Sequence, residues 1–243
     1  GSLNGTGGND RFIFNNTSTI GGTLTGGTGS DTLNLSAYSA ARNVTLNATS
    51  TGNGFAGTET SISGGFSEIN VLTLRTAVGD SLQGANFTNT WVLSGSNSGS
   101  LTQNTNTLTF SGVDNFTGGT AADTVTLTGA QTGSILGNAG DDIFNLNTNG
   151  ALTGTISGDA GNDTFNLNSG TTTGAVAGGE GIDTLAGSTA YTINGTNSGT
   201  QTQLNGGWNT IENLTGTESA ADTFTFAGGS ISGTANGLGN NDG

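Results

Sequence analysis

One phrase returns along this chain at nearly constant spacing: a glycine, two loose positions, usually a second glycine, one more loose position, an aspartate, then a short alternation of apolar and polar residues. It reads GTGGNDRFIF ending at Phe14, GGTGSDTLNL ending at Leu35, GGTAADTVTL ending at Leu127, GNAGDDIFNL ending at Leu146, GDAGNDTFNL ending at Leu167, GGEGIDTLAG ending at Gly187 and SAADTFTF ending at Phe226. The anchoring aspartates are Asp10, Asp31, Asp80, Asp123, Asp142, Asp163, Asp183, Asp222 and Asp242, and their successive numbers differ by 21, 49, 43, 19, 21, 20, 39 and 20. A repeat of this length marks a stacked architecture, in which no unit can bury its apolar face except against its neighbours. The three long intervals are near doubles and are expected to be rungs that lost the aspartate turn but kept their strands. Counted that way, the span from Asp10 to Asp242 holds about 11 steps, each of about 21 residues, within the range of solenoid repeats.

Apolar residues keep fixed offsets from each aspartate. Two and four positions after it stand Phe12 and Phe14, Leu33 and Leu35, Val125 and Leu127, Phe144 and Leu146, Phe165 and Leu167, Phe224 and Phe226; seven before it stand Leu3, Leu24, Phe116, Ile135, Ile156 and Val176. Thr and Asn fill most of the places between, the period of two of a strand with one buried face. A longer repeat overlies the first: TWVLSGSNSGS from Thr90 returns as AYTINGTNSGT from Ala190, and SEINVLT from Ser67 matches TIENLT from Thr210. The phase is hardest to set over residues 36–66.

Composition explains why such a device is needed. The chain has 46 Gly in 243 residues, and Val, Ile, Leu and Phe together make about a fifth of it, an inventory near the disordered range unless a repeated interaction offsets the entropy of ordering. Stacked parallel strands supply that interaction, since every rung satisfies the backbone of the next at about 4.8 Å per step. The absence of Pro suits a fold in which nearly every N–H must donate. The expectation is an all-β chain, a parallel β-solenoid of the β-roll or β-helix kind forming one rod over residues 1–243. It would have about 20–21 residues per rung and about 11–12 rungs. The chain opens and closes within a repeat, so the rungs are expected to continue beyond it, in a longer polypeptide or by stacking of a second copy.

What is missing narrows the chemistry. With no His and no Cys there is no Ser-His-Asp triad, thiol nucleophile, His/Cys zinc site or disulfide. Three Lys+Arg, all of them Arg, against 17 Asp+Glu give a net charge of -14, which disfavours nucleic acid and anionic membrane as partners. Three scattered arginines also argue against a polysaccharide lyase, which needs clustered acids with a basic catalytic group. The acidic, Asn-, Thr- and Gly-rich make-up suits an exported bacterial protein.

At Gly26–Asn34 (GGTGSDTLN) and Gly178–Ala186 (GGEGIDTLA) the phrase meets the nonapeptide pattern G-G-x-G-x-D-x-U-x. It resembles the RTX, or hemolysin-type, calcium-binding repeat of secreted bacterial toxins, proteases and giant surface adhesins, whose fold is a parallel β-roll. By that resemblance each turn offers backbone carbonyls and an Asp carboxylate to a Ca²⁺ lying between successive turns on one edge, and the candidate ligands are Asp10, Asp31, Asp123, Asp142, Asp163, Asp183, Asp222 and Asp242. Calcium's preference for 6 to 8 hard oxygens in tolerant geometry fits such a site. The second glycine is replaced by Thr6, Asn138 or Asp159, of which Asn and Asp best tolerate a left-handed backbone. Departures matter too. Only one such turn occurs per repeat, so one edge at most carries metal, and Ala121 and Ala220 or Ala221 replace the fourth-position glycine before Asp123 and Asp222.

Against this stands the plainer reading that turn aspartates accept backbone N–H bonds in a metal-free stack. Like charges about 4.8 Å apart repel by roughly 1 kcal/mol per pair even in water, which cations would relieve. Thr-x-Thr runs such as Thr124-Val125-Thr126 hint at an ice-binding array, although their spacing looks irregular from rung to rung. Trp91, Tyr191 and Trp208 are expected to cover the core at irregular rungs. The function expected is a non-catalytic structural segment of a secreted or surface-bound bacterial fibre or adhesin, stabilised by calcium, with neighbouring repeats or copies as partners. The alternatives are a module that binds carbohydrate, such as surface glycans, or ice, and a subunit assembling end to end into an extracellular filament.

Overall fold

The structure is a computed structural model that describes residues 1–49, 53–76 and 79–239. Every regular element among them is a strand, and they form one sheet of 12 strands and one of 17. The 12-stranded sheet carries the strands that follow Asp10, Asp31, Asp123, Asp142, Asp163 and Asp183. Phe12 pairs with Leu33, Leu33 with Leu72 and Leu72 with Phe110, all in parallel. Further along, Val125, Phe144, Phe165, Leu185 and Leu214 follow one another in one parallel file. The other sheet carries the residues seven before those six aspartates: Leu3 pairs with Leu24, and Phe116, Ile135, Ile156 and Val176 form a second file. The sequence offsets are therefore spatial registers.

Because side chains alternate across a strand, these registers bring the apolar members into one core. Leu24, Leu33, Phe144, Leu146, Ile156, Phe165, Leu167 and Val176 are buried, and the Phe144 and Phe165 rings stack at 4.9 Å and 6°. Trp91, Tyr191 and Trp208 are buried in that core as well. The expected file breaks at its far end. Phe224 pairs with Tyr191 in the 17-stranded sheet, not with the strand after Asp183, and Phe226 is 53% exposed. The strand Thr223–Phe226 pairs with Ala190–Gly195, leaving one face of Phe226 to solvent.

The long intervals between aspartates are not plain rungs that lost a turn. Each holds a three-stranded antiparallel meander: Asn43–Thr49, Phe55–Glu59 and Ile62–Ile69; Thr90–Gly95, Ser98–Gln103 and Asn106–Ser111; Ala190–Gly195, Ser198–Gln201 and Leu204–Asn209. An odd number of antiparallel strands leaves the outer two parallel to each other, so the meander fits between two parallel rungs without reversing the sheet. Its last strand joins the preceding rung, as Phe66 does Leu24, Phe110 does Leu72 and Trp208 does Val176. Its first strand joins the following one, as Val44 does Leu82, Trp91 does Val125 and Tyr191 does Phe224. The chain thus leaps ahead along the stack and returns. Residues 36–66, where the repeat could not be phased, contain most of the first meander.

Outward Thr residues do keep register. Thr107, Thr102, Thr90 and Thr124 lie side by side across the 12-stranded sheet, and after an interruption at Ile143 the row resumes with Thr164 and Thr184.

Replacing Phe165 by Ala removes a stacked, fully buried ring and should cost about 3 to 5 kcal/mol, whereas Thr164→Ala on the outer face should stay within about 0.5 kcal/mol. Chemical denaturation of the two variants checks this, and equal losses would show the register to be wrong.

Candidate metal-binding turns

The turn between the sheets is shaped by its backbone. In the five Gly-x-x-Gly-x-Asp turns the residue two before the aspartate, Gly8, Gly29, Gly140, Gly161 or Gly181, has φ between 103° and 141°. The residue four before it is also left-handed: Thr6 at 73°, Gly27 at 106°, Asn138 at 79°, Asp159 at 71° and Gly179 at 121°. Asn138 and Asp159 stand where their tolerance of that region is required. The leading glycine has a different reason. A Cβ on Gly137 would lie 2.2 Å from Asp142 Oδ2 and 2.5 Å from the Gly158 carbonyl oxygen of the next rung, and one on Gly158 would lie 2.0 Å from Asp163 Oδ2 and 2.7 Å from the Gly178 oxygen. Gly5, Gly26 and Gly178 are crowded likewise by Asp10, Asp31 and Asp183 and by the oxygens of Gly26, Glu68 and Thr210. Only glycine lets a carboxylate oxygen and a carbonyl oxygen close in on one α-carbon.

The aspartates are buried and linked. Asp31, Asp123, Asp142, Asp163, Asp183 and Asp222 are all at most 2% exposed. In Asp31, Asp142, Asp163 and Asp183 one carboxylate oxygen accepts the peptide N–H of the preceding rung's aspartate: Asp10 N–H donates to Asp31 Oδ1 at 2.8 Å, Asp123 N–H to Asp142 at 2.6 Å, Asp142 N–H to Asp163 at 2.8 Å and Asp163 N–H to Asp183 at 2.7 Å. Asp10 with Asp31, and the run from Asp123 to Asp183, are thereby brought together as the spacing implied. Asp242 lies outside the described residues, so its pairing with Asp222 is not part of the picture.

Sequence reasoning missed the ends of these files. Asp31 N–H donates to Asn70 Oδ1 at 3.0 Å, Asp80 N–H to Asp114 Oδ2 at 3.0 Å and Asp183 N–H to Glu212 Oε2 at 2.8 Å. Each of these acceptors is held by an Asn of the adjoining meander: Asn53 accepts from Asn70 at 2.9 Å, Asn97 donates to Asp114, and Asn197 donates to Glu212 at 2.8 Å. The repeat of Asn97 as Asn197, and of SEINVLT as TIENLT, carried that signal.

The second carboxylate oxygen separates two kinds of turn. Asp10, Asp31, Asp142, Asp163 and Asp183 each have a buried Oδ2 with no hydrogen-bond partner. In Asp80, Asp123 and Asp222 that oxygen accepts an N–H from its own turn: Arg75 to Asp80 at 2.9 Å, Gly119 to Asp123 at 2.7 Å and Thr217 to Asp222 at 3.0 Å. A buried acceptor left unpaired costs about 1 to 3 kcal/mol, and more when charged, so the five open turns carry a cost that the closed turns avoid. Among the described residues no three acidic side chains converge. A cation here would be held by one carboxylate with backbone carbonyls, a hard-oxygen set that suits Ca²⁺, and the orphaned oxygen beside a neighbouring carbonyl fits that requirement.

Protons compete for the same oxygens. Burial, reinforced by the charges of Asp123, Asp163 and Asp141, pushes Asp142 up to about 7, and burial with Asp183, Asp141 and Asp159 pushes Asp163 up to about 6. Burial likewise raises Asp80, Asp123 and Asp183 above the ordinary carboxylate value.

No family model, no curated protein and no solved structure matches this chain. The RTX resemblance therefore rests on the turn phrase itself.

With divalent ions chelated, stability should fall as pH rises from about 4 to about 7. Unfolded carboxyls release protons near 3.8 and folded Asp163 and Asp142 near 6 and 7, so between those values the folded state binds more protons. Melting curves across that range test this; a melting point that rises with pH would contradict it.

Proposed function

We propose that the chain is a non-catalytic structural segment of a secreted or cell-surface bacterial fibre or adhesin, a parallel β-solenoid whose Gly-Asp turns are stabilised by Ca²⁺ along one edge. The observation that carries this reading is the set of five turn carboxylates in two registered groups, each with a buried oxygen that no hydrogen bond reaches. Bound calcium would supply positive charge to a file of anions. Asp10, Asp31, Asp142, Asp163 and Asp183 would hold it together with carbonyls of the neighbouring turn. Twelve strands in one sheet make a stack about 50 Å long at about 4.8 Å per step, and repetition of this kind gives reach and stiffness to a stalk or tether. A net charge of -14 with three arginines supports an extracellular setting and no nucleic-acid partner. Neighbouring repeats or further copies, end to end, are the partners such a segment would have.

At pH 7.5, calcium should raise the melting temperature and excess chelator should lower it. An ion at about 100 times its Kd adds about 2.7 kcal/mol per site when only the folded state binds it. Circular dichroism melts with calcium, then with chelator, read this directly; superimposable curves would overturn the calcium reading.

The registered row from Thr107 to Thr184 favours a second reading, an adhesive face for carbohydrate or ice. Thr124→Tyr together with Thr164→Tyr should then abolish partition onto insoluble polysaccharide or into growing ice while leaving the fold unchanged. If the unaltered protein partitions onto neither surface, this second reading fails.

A further inference from the structure

We propose that divalent cations are taken up only at the Asp10, Asp31, Asp142, Asp163 and Asp183 turns, so that ion removal loosens two separate stretches, residues 1–35 and 137–187, while residues 80–127 between them keep their fold. This rests on the calcium reading above and adds to it where in the chain the ion acts.

The division is made by where the turn residue four or five before each aspartate sends its N–H. Where it is left-handed its N–H turns away from the carboxylate: Thr6 N–H goes to Asn4 Oδ1 at 3.0 Å, Asn138 N–H to Asp159 Oδ2 at 3.3 Å and Gly179 N–H to Thr210 Oγ1 at 2.9 Å. The aspartate is then left with an unpaired oxygen, and in Asp31, Asp142, Asp163 and Asp183 the residue is at most 1% exposed. Gly119 lacks the left-handed backbone and donates to Asp123 Oδ2 at 2.7 Å. With Asn89 N–H on the other oxygen at 2.6 Å, the Asp123 carboxylate is satisfied at both ends by peptide groups. Asp80 is closed in the same way by Arg42 and Arg75 N–H groups at 2.6 and 2.9 Å. A cation at a closed turn would have to displace a buried N–H and leave that donor orphaned. At an open turn it displaces nothing.

Closed turns follow meanders: Asp80, Asp123 and Asp222 are the first anchor aspartates after the first, second and third. The block they bound does not lean on ions. Its second meander is held by antiparallel pairs close in sequence, and Trp91, Phe110 and Phe116 meet edge-on or tilted at 5.4 to 6.0 Å. The flanking stretches have only short strands, and each pairs in parallel with strands one repeat or more away along the chain.

Hydrogen–deuterium exchange on the whole chain at pH 7.5, with calcium in excess and then with chelator, tests the division. Chelation should speed exchange at least about tenfold in residues 28–35 and 138–185 and less than about twofold in residues 91–127. Equal acceleration in all three would overturn this inference while leaving the calcium reading intact; no change anywhere would overturn the calcium reading itself. Native mass spectrometry gives an independent check. Asp163→Asn, which keeps the Oδ1 acceptor, should lower the number of calcium ions bound, and Asp123→Asn should not. A drop on Asp123→Asn would overturn the assignment.

Discussion

The structure depends on a carboxylate that bonds to a peptide rather than to another side chain. Along each file a turn aspartate takes the N–H of the aspartate one rung earlier on one of its oxygens, so the file is joined by the backbone at the point where the chain passes from one sheet to the other. A strand ladder alone fixes spacing along the stack but leaves the corners free to slide. The carboxylate removes that freedom, because a shift of one residue would put the acceptor opposite a side chain. Charge-assisted hydrogen bonds of this kind are among the stronger ones, which a chain with 46 Gly requires. The cost is a row of buried anions, and the raised proton affinity of Asp142 and Asp163 is its direct expression.

Such a file must also end. A last aspartate N–H with no acceptor would be a buried donor without a partner. Asn70, Asp114 and Glu212 provide that acceptor, and each is clamped by the Asn of an antiparallel meander. The same solution occurs three times with three different acceptors, an amide, a short carboxylate and a long one. What is kept is the position of an oxygen. The meander has the added property that its outer strands run parallel, so it interrupts the file without interrupting the sheets.

Most of the repeating part was legible from the residues. Offsets of two and four after the aspartate and seven before it predicted Phe144 beside Phe165 and Ile135 beside Ile156, because a constant repeat length and a period of two leave one register that buries every apolar side chain. The left-handed positions at Asn138 and Asp159 followed from residue type. The meanders were not legible: alternation in Thr90–Ser111 looks the same whether a strand pairs with its neighbour in parallel or antiparallel fashion, and the pattern records faces, not directions. Phe224 was misplaced for that reason, since its offset from Asp222 matches Phe165 while its partner is Tyr191. Within the site, the sequence marked the aspartates and set Asp123 and Asp222 apart through Ala121 and Ala220 or Ala221 in place of the fourth-position glycine. The cause was not legible, because it lies in where one backbone N–H points.

Two oxygens on one carboxylate thus do separable work. Oδ1 sets register and does so whether the group is open or closed. Oδ2 has no hydrogen-bond partner in the open turns, whereas in the closed turns a turn N–H has already taken it. An ordinary buried salt bridge would have fixed both oxygens at once, and the scarcity of cationic side chains makes that impossible here, since three arginines cannot serve eight turns. Arg42 is spent on Glu59. Cations bound as proposed would complete the charge balance of the stack at the open turns, whereas at Asp80 and Asp123 peptide N–H groups already occupy both carboxylate oxygens. Under that proposal the dependence on the medium would fall in the segments that carry the open turns.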